Sequence, residues 1–499
     1  MVDLPVEIWQ HIFSYLVHST SPKSEALKLH GLNRHLREIA LDYLFKGQPL
    51  NVAKLHDANY FQKLEYLREP SIAFRVRSLY IGSFQPSRCK DKLPLYTRTL
   101  SKLTPQERTI DEEEVQQLGN MIHSLPKINF VNLYCGGAAS NDFVVHTPLV
   151  LSAMQSYSKT LRTLALGIAS FDILSLIFAK LPHFPHLEKF SLSFSGEGRD
   201  TQLSTIVLKD GVLPFLNNHF NSLTNVAIHR QSSCKKLDIS PLYDDFPLLY
   251  KLKILAVDLK SVTSLERLLN RHSESLEELH LSLTDVPAND EIAMDDCFSS
   301  INAPSLHLKR LTITSHQDDP QVSSQAFVDY LSGHSNKLST LTLLGSEIPP
   351  NDWDRLSSLK WSKLVSLSLS LSRAPAKVFD NLVKNLPALL YLTLSVRAFS
   401  FTAEVPYRHG LFFRKPPDET EFLTDMPKRF YPNAQVIHLT LSSHNSYQTF
   451  YNDTFTACVQ AVVKVFPTVL CVNGHSRVDF LKYAPEVLAN EKNNDELCF

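Results

Sequence analysis

The sequence predicts an α/β fold: a row of short strands, each returned by a helix, forming one curved parallel sheet behind a small helical unit. Three observations carry this. A hexamer of the form Leu-x-x-Leu-x-Leu, or close substitutes, recurs along most of the chain; helical apolar patterns lie between its copies; and the first 46 residues carry only a helical period. The chain has 499 residues, 43% hydrophobic and 20% charged, with formal net charge −1. That is apolar enough for a large core and too apolar for a disordered chain. It argues against a strongly basic surface built to collect phosphates, so no nucleic-acid partner is expected.

Taking the elements in order, Leu4-Pro5-Val6-Glu7-Ile8 opens a first helix expected to reach Leu16. Pro5 suits the first turn, where its missing N–H costs nothing, and Glu7 favours the positive end of the helix dipole. Ile8, Ile12, Phe13 and Leu16 make one apolar stripe. A second helix is expected from Ser21-Pro22 to a stop at Gly31. A third starts near Asn33, with Leu32, Leu36, Ile39 and Tyr43 on one side and Arg34, Arg37 and Glu38 on the other. Three helices in so short a stretch have little interior, so either the downstream chain or a partner must cover Leu4, Ile8, Ile12 and Phe13.

From Arg75 onward the hexamer dominates. Clear copies stand at Leu161–Leu166, Leu187–Leu192, Leu223–Ile228, Leu252–Val257, Leu276–Leu281, Leu308–Ile313, Leu338–Leu343, Leu364–Leu369 and Leu389–Leu394. Weaker ones stand at Val76–Ile81, Ile128–Leu133 and Ala434–Leu439. The clear copies begin 24 to 36 residues apart, around the upper part of the leucine-rich-repeat range of about 20–29 residues. Alternation in the last four positions makes a short strand with leucines on one face. Patterns such as Ile173-Leu174-Leu176-Ile177-Leu181 make the helix, and stacked neighbours bury a continuous core. The asparagine expected eight positions after the first leucine is absent; Ala169, Ser195, Gln231, Lys260, Thr284, His316, Ser346, Ser372 and Arg397 stand there, so irregular curvature is expected. The expected organisation is 1–46 helical unit, 47–74 helical connection, 75–485 repeat body and 486–499 polar tail. Insertions fall at 82–127, with an amphipathic helix from Asp111 (Val115, Leu118, Ile122), and at 400–432, a proline-rich loop.

Leu4-Pro5-Val6-Glu7-Ile8 with Ile12-Phe13-Ser14-Tyr15-Leu16, then Leu32-Asn33-Arg34-His35-Leu36-Arg37-Glu38-Ile39-Ala40, resembles an F-box. The resemblance covers residues 2 to 46, its two halves occur in the family's order and separation, and Leu36 stands where many members carry tryptophan. It implies docking on the Skp adaptor of a cullin–RING ubiquitin ligase through Leu4, Pro5, Ile8, Ile12, Phe13, Leu16, Leu32, Leu36 and Ile39. Together with the repeats it implies a non-catalytic substrate receptor of an SCF-type ligase. The alternative is a repeat scaffold whose F-box-like helices only cap the repeat array.

No nucleophile elbow, Walker loop or zincin helix occurs, and Gly136-Gly137 and Gly196-Glu197-Gly198 read as turns. His183 and His186 flank Phe184-Pro185 without a Cys or acidic companion, so no metal is expected. The reading is of no enzyme and no cofactor. Seven scattered cysteines, never in CxxC spacing, fit unpaired thiols in a reducing compartment, cytoplasmic or nuclear. No uncharged apolar run is long enough to span a membrane.

What remains is surface. Residues between the leucines of each strand point to the side away from the helices. In the later repeats these are Thr312, Thr314, Thr340, Thr342, Ser366, Ser368, Ser370, Thr393 and Ser395; earlier ones offer Lys189, Asn225, His229, Asp258, Glu278, His280 and Arg310. Thr342, Ser366, Ser368, Ser370 and Thr393 are the expected target-binding strip, bordered by loop 400–432.

Overall fold

The computed structural model describes residues 34–51, 64–82, 119–135, 151, 154–168, 171–194, 206–230, 239–259, 263–283, 307–315, 325–348, 350–399, 419–443 and 453–482. The chain divides into two units, Met1–Asp238 and Ile239–Phe499. In the first, β1 (Gly47–Asn51), β2 (Ser78–Gly82), β3 (Phe130–Cys135), β4 (Thr163–Ile168), β5 (Lys189–Phe194) and β6 (Asn225–Arg230) pair in parallel in chain order. In the second, β7 (Ile254–Leu259), β8 (Glu278–Leu283), β9 (Arg310–Ser315), β10 (Thr340–Ile348), β11 (Ser366–Arg373), β12 (Tyr391–Ala398), β13 (His438–Ser443) and β14 (Cys471–Val472) do the same. An antiparallel β15 (His475–Ser476) follows β14. This is the architecture of leucine-rich repeats.

Parallel neighbours need a crossover, and helices supply it: Phe171–Lys180, Thr263–Arg271, Gln325–His334, Pro350–Ser358, Ala376–Asn385 and Asp453–Val465. The hexamers fall into register. Leu79, Val131, Leu164, Phe190 and Val226 form one rung; Leu255, Leu279, Leu311, Leu341, Leu367, Leu392 and Leu439 form another. None of these is more than 3% exposed. Each helix buries one side, Ile173, Leu174 and Ile177 in one, Val378, Phe379 and Leu382 in another. The core thus lies between helices and strands, and the opposite strand face stays open. Burying each leucine contributes about 1.5–3 kcal/mol.

The structure corrects the sequence reading at several points. The sheet begins earlier than residue 75, because β1 lies inside the stretch 47–74 expected to be a helical connection. There Gln48 pairs with Leu79 and Leu50 with Ile81, so residues 45–50 are a hexamer with a polar fourth position. Gln48 is only 6% exposed, and its Nε2 donates to the Leu44 carbonyl at 3.2 Å. The last weak copy is framed two residues off. Leu439 pairs with Leu392 and Leu441 with Leu394, so the repeat is Val436–Leu441, not Ala434–Leu439. The 400–432 stretch is not all loop: Thr420–Asp425 is helical and Met426–Lys428 forms a 3-10 turn. Of the 82–127 insertion, 83–118 lie outside the described residues. Residues 119–123 are helical, with Met121 and Ile122 buried in the repeat that leads into β3. The third expected helix is present as Arg34–Lys46. Residues 1–33, the tail 486–499 and the sites Ala169, Ser195, Gln231, Lys260, Thr284 and His316 fall outside the described residues.

The parallel order ends at Asn473-Gly474, where both residues have positive φ, 46° and 77°. That is the signature of a two-residue hairpin turn, which reverses the chain without a helix. Asn473 also continues the ladder with its side chain: Oδ1 accepts from Leu441 N–H at 2.9 Å and Nδ2 donates to the Leu441 carbonyl at 3.0 Å.

Candidate functional site

The open strand face of the second unit is built by register. Thr312, Thr342, Ser368, Thr393 and Thr440 occupy one position on five successive strands, β9 to β13. Arg310, Thr340, Ser366, Tyr391 and His438 occupy the position two residues earlier. Neighbouring strands lie about 4.8 Å apart, so each row is a ladder of side chains at that spacing. Thr342, Ser366, Ser368 and Thr393 are all half-buried on this face. Tyr391, 47% exposed, stacks on His438 with ring centroids 5.0 Å apart.

Two expected members do not belong to the open surface. Ser370 is 1% exposed. Its register explains why: Leu343 pairs with Leu369 but Glu347 with Ser370, so β10 inserts residues 344–346 beside it. Asp258 is 2% exposed, and the Tyr243 hydroxyl donates to its backbone carbonyl at 2.9 Å. Conversely, Thr440 and Ser442 extend the strip, and the sequence reading omits them because it frames the β13 hexamer two residues early. The signal was available in the alternation Leu439-Thr440-Leu441-Ser442.

Charge on the same unit is largely paired within itself. Arg310 lies 3.3 Å from Glu278, which also faces His280 at 3.9 Å. One residue before the strands, Glu277 sits between Lys309 at 2.7 Å and Lys253 at 3.2 Å. Hydrogen bonds from Lys309 and then Lys253 hold its carboxyl below the usual range. From β10 to β13 the described open face is hydroxyl-rich.

Of the expected adaptor-binding residues, Leu4, Pro5, Ile8, Ile12, Phe13, Leu16 and Leu32 lie outside the described residues. Leu36 and Ile39 are on helix Arg34–Lys46, Ile39 half-buried beside the fully buried Ala40. Arg75 ties this helix to the repeat body: its guanidinium donates to the Glu38 carbonyl at 3.2 Å and to the carboxylates of Glu38 and Asp42. Lys46, at the helix end, gives its carbonyl to Arg77 N–H at 3.0 Å. Among the described residues no group of three or more His, Cys, Asp or Glu is placed to hold a metal ion, and no helix is long and apolar enough to cross a membrane.

No family model matches the chain, and no curated protein matches its sequence. Among solved structures, it is similar to the yeast Rad7 and Elc1 complex at 12% identity and TM-score 0.35, over 83% of this chain and 98% of that one. It is similar to an internalin from Listeria monocytogenes at 13% identity and TM-score 0.33, over 75% and 85% of the two chains. A third likeness is to TLR13 in complex with ssRNA13, at 16% identity and TM-score 0.34, over 76% of this chain and 42% of that one.

Proposed function

We propose that this chain is the substrate-recognition subunit of an SCF-type ubiquitin ligase. Its F-box-like helices dock on the Skp adaptor and thereby on the cullin–RING core, and its repeat strands hold a target protein. Ubiquitin transfer is then a matter of proximity supplied by the other subunits, and no side chain of this chain takes part in bond making. The observation that carries the reading is the join between the two parts. Helix Arg34–Lys46, the third of the F-box-like pattern, runs straight into β1, with Arg37, Glu38, Asp42 and Tyr43 exposed. The open face with Thr342, Ser366, Ser368 and Thr393 is the proposed target surface. Ser370, expected from the sequence to belong to it, is left out on account of its burial.

A second reading has its own support. Ala40 is fully buried and Arg75 grips Glu38 and Asp42, as expected if these helices merely cap the repeats. One experiment separates the two. The full chain is co-expressed with the Skp adaptor, and adaptor recovery is compared between wild type and Leu4→Ala/Pro5→Ala. The receptor reading expects stoichiometric recovery that falls at least about tenfold in the variant, since burying one leucine contributes about 1.5–3 kcal/mol. Its melting temperature should stay unchanged. Equal recovery, together with a lowered melting temperature, selects the cap.

A further inference from the structure

The first unit carries a surface that the receptor reading does not use. Phe74 is 52% exposed, with Lys127 Nζ 3.0 Å from its ring centroid and Arg77 Cζ at 5.8 Å. Neither cation has a carboxylate partner among the described residues. By contrast Arg75, Arg162, Lys253, Lys309 and Arg310 are each paired with one. The Lys127 ammonium is held below the usual lysine range, by desolvation first and then by Arg77. Two like charges thus lie together with no counter-ion among the described residues. The unit as a whole leans the same way: Met1–Asp238 contains 26 Lys and Arg against 21 Asp and Glu, in a chain whose net charge is −1.

Aromatic rings continue from these cations across the open face. The Arg77 carbonyl accepts from Phe130 N–H at 3.1 Å, and the Phe130 ring lies 5.2 Å from that of Tyr80. Tyr80 and Tyr134 lie over glycines of the neighbouring strands. A Cβ on Gly47 would stand 3.3 Å from the Tyr80 ring, and one on Gly167 only 2.8 Å from Tyr134. Each ring thus lies close to a strand position where a side chain would crowd it. Cations gathered at one end and aromatic rings leading away suit an extended chain with acidic groups followed by planar or apolar ones. A single-stranded polynucleotide would instead need cations tracking its backbone, and the strand positions beyond the rings, Thr163, Ala165, Lys189, Ser191, Asn225 and Ala227, supply one lysine.

We propose that the open face of β2 and β3, with Arg77, Lys127 and Phe74 at its rim and Tyr80, Phe130 and Tyr134 across it, binds an acidic, aromatic- or proline-containing peptide segment of a partner protein. This rests on the receptor reading only in supposing the partner to be a target. Binding itself needs no ligase component.

The test uses the purified full chain and fluorescence anisotropy with three labelled probes. They are a short peptide alternating glutamate with tryptophan and proline, its lysine counterpart, and an oligouridylate of similar length. The acidic peptide should bind best and weaken with added salt. Arg77→Glu/Lys127→Glu should reduce its affinity about tenfold or more, as reversal of contact charges does. Gly167→Ala, whose Cβ would collide with the Tyr134 ring and force it to shift, should also weaken it, with the helical circular dichroism of both variants unchanged. No binding of the acidic peptide, equal binding by wild type and the charge-reversed variant, or tighter binding of the oligouridylate would overturn the proposal. Adaptor recovery is measured separately, so failure of one reading leaves the other legible.

Discussion

Three histidines occupy the same place in their repeats, four residues before the first leucine: His219, His272 and His334. In each, Nδ1 lies 2.7 to 2.9 Å from the carbonyl four residues earlier, Phe215, Leu268 and Tyr330 respectively. In two, Nε2 takes a backbone N–H from the preceding repeat, Phe184 at 3.0 Å and Leu249 at 3.1 Å. A ring that donates at one nitrogen and accepts at the other is neutral, so His219 and His272 staple repeats only while uncharged. Desolvation pushes all three below the ordinary histidine value by more than the carbonyl bonds lift them, and His183, Arg271 and Lys337 push the same way. The native state therefore binds fewer protons than the unfolded chain. These residues leave stability unchanged above about pH 6.5 and erode it as pH falls below that. Asn385 stands at the corresponding place of another repeat and donates to the Ser357 carbonyl at 2.6 Å, so asparagine is an acceptable replacement. Urea unfolding midpoints of wild type and His272→Asn, compared across that range, should show a shallower acid loss in the variant. Parallel losses would contradict the neutral staple.

At the scale of elements, two ties lend themselves to measurement. Asp380 on helix Ala376–Asn385 receives Arg429 Nε at 3.0 Å and the Tyr431 hydroxyl at 2.6 Å, which fixes the segment after the 3-10 turn. Asp380→Ala leaves the buried Tyr431 hydroxyl and the half-buried Arg429 Nε without this acceptor and should cost about 1–3 kcal/mol in chemical denaturation, more than removing an exposed ion pair would. The closing hairpin depends on Gly474, whose φ of 77° leaves open space around a would-be Cβ. Gly474→Ala should therefore destabilise by backbone strain alone, about 1–2 kcal/mol, and hydrogen exchange should quicken at β14 and β15 before anywhere else in the second unit. The same elements show how far the sequence could be read. Leucine spacing located the repeat strands wherever the fourth position is apolar. It missed β1 because Gln48 stands there, and slipped in β13 because Ala434 and Ile437 imitate the pattern two residues early. A buried glutamine is tolerated once its amide has a partner, and no pattern of apolar residues contains that information.

For the whole molecule, stability should be distributed along the repeats and recognition confined to their open faces. Leu369→Ala, in a rung that is 1% exposed, should cost about 2–5 kcal/mol by opening a cavity. Ser368→Arg, on the opposite face of the same strand, should leave the melting temperature nearly unchanged while excluding target proteins recovered by the wild type. Coincident target lists would remove the hydroxyl strip from consideration. By itself, the sequence determined that the chain is an array of strand-plus-helix repeats with leucines inward. A period of two within each strand and a recurrence at near-constant spacing admit few other ways to bury those residues. Only the tertiary structure decided which polar residues are surface. Ser370 and Asp258 carry the same alternation as Ser368 and Glu278, yet lie buried; for Ser370 the cause is the extra residues that the neighbouring strand inserts beside it. Tertiary structure likewise brought Arg77 and Lys127 around Phe74, and Tyr134 over Gly167, residues 50 and 33 positions apart. Contacts between strands are set by register across repeats, and register is a property of the assembled sheet that no single segment specifies.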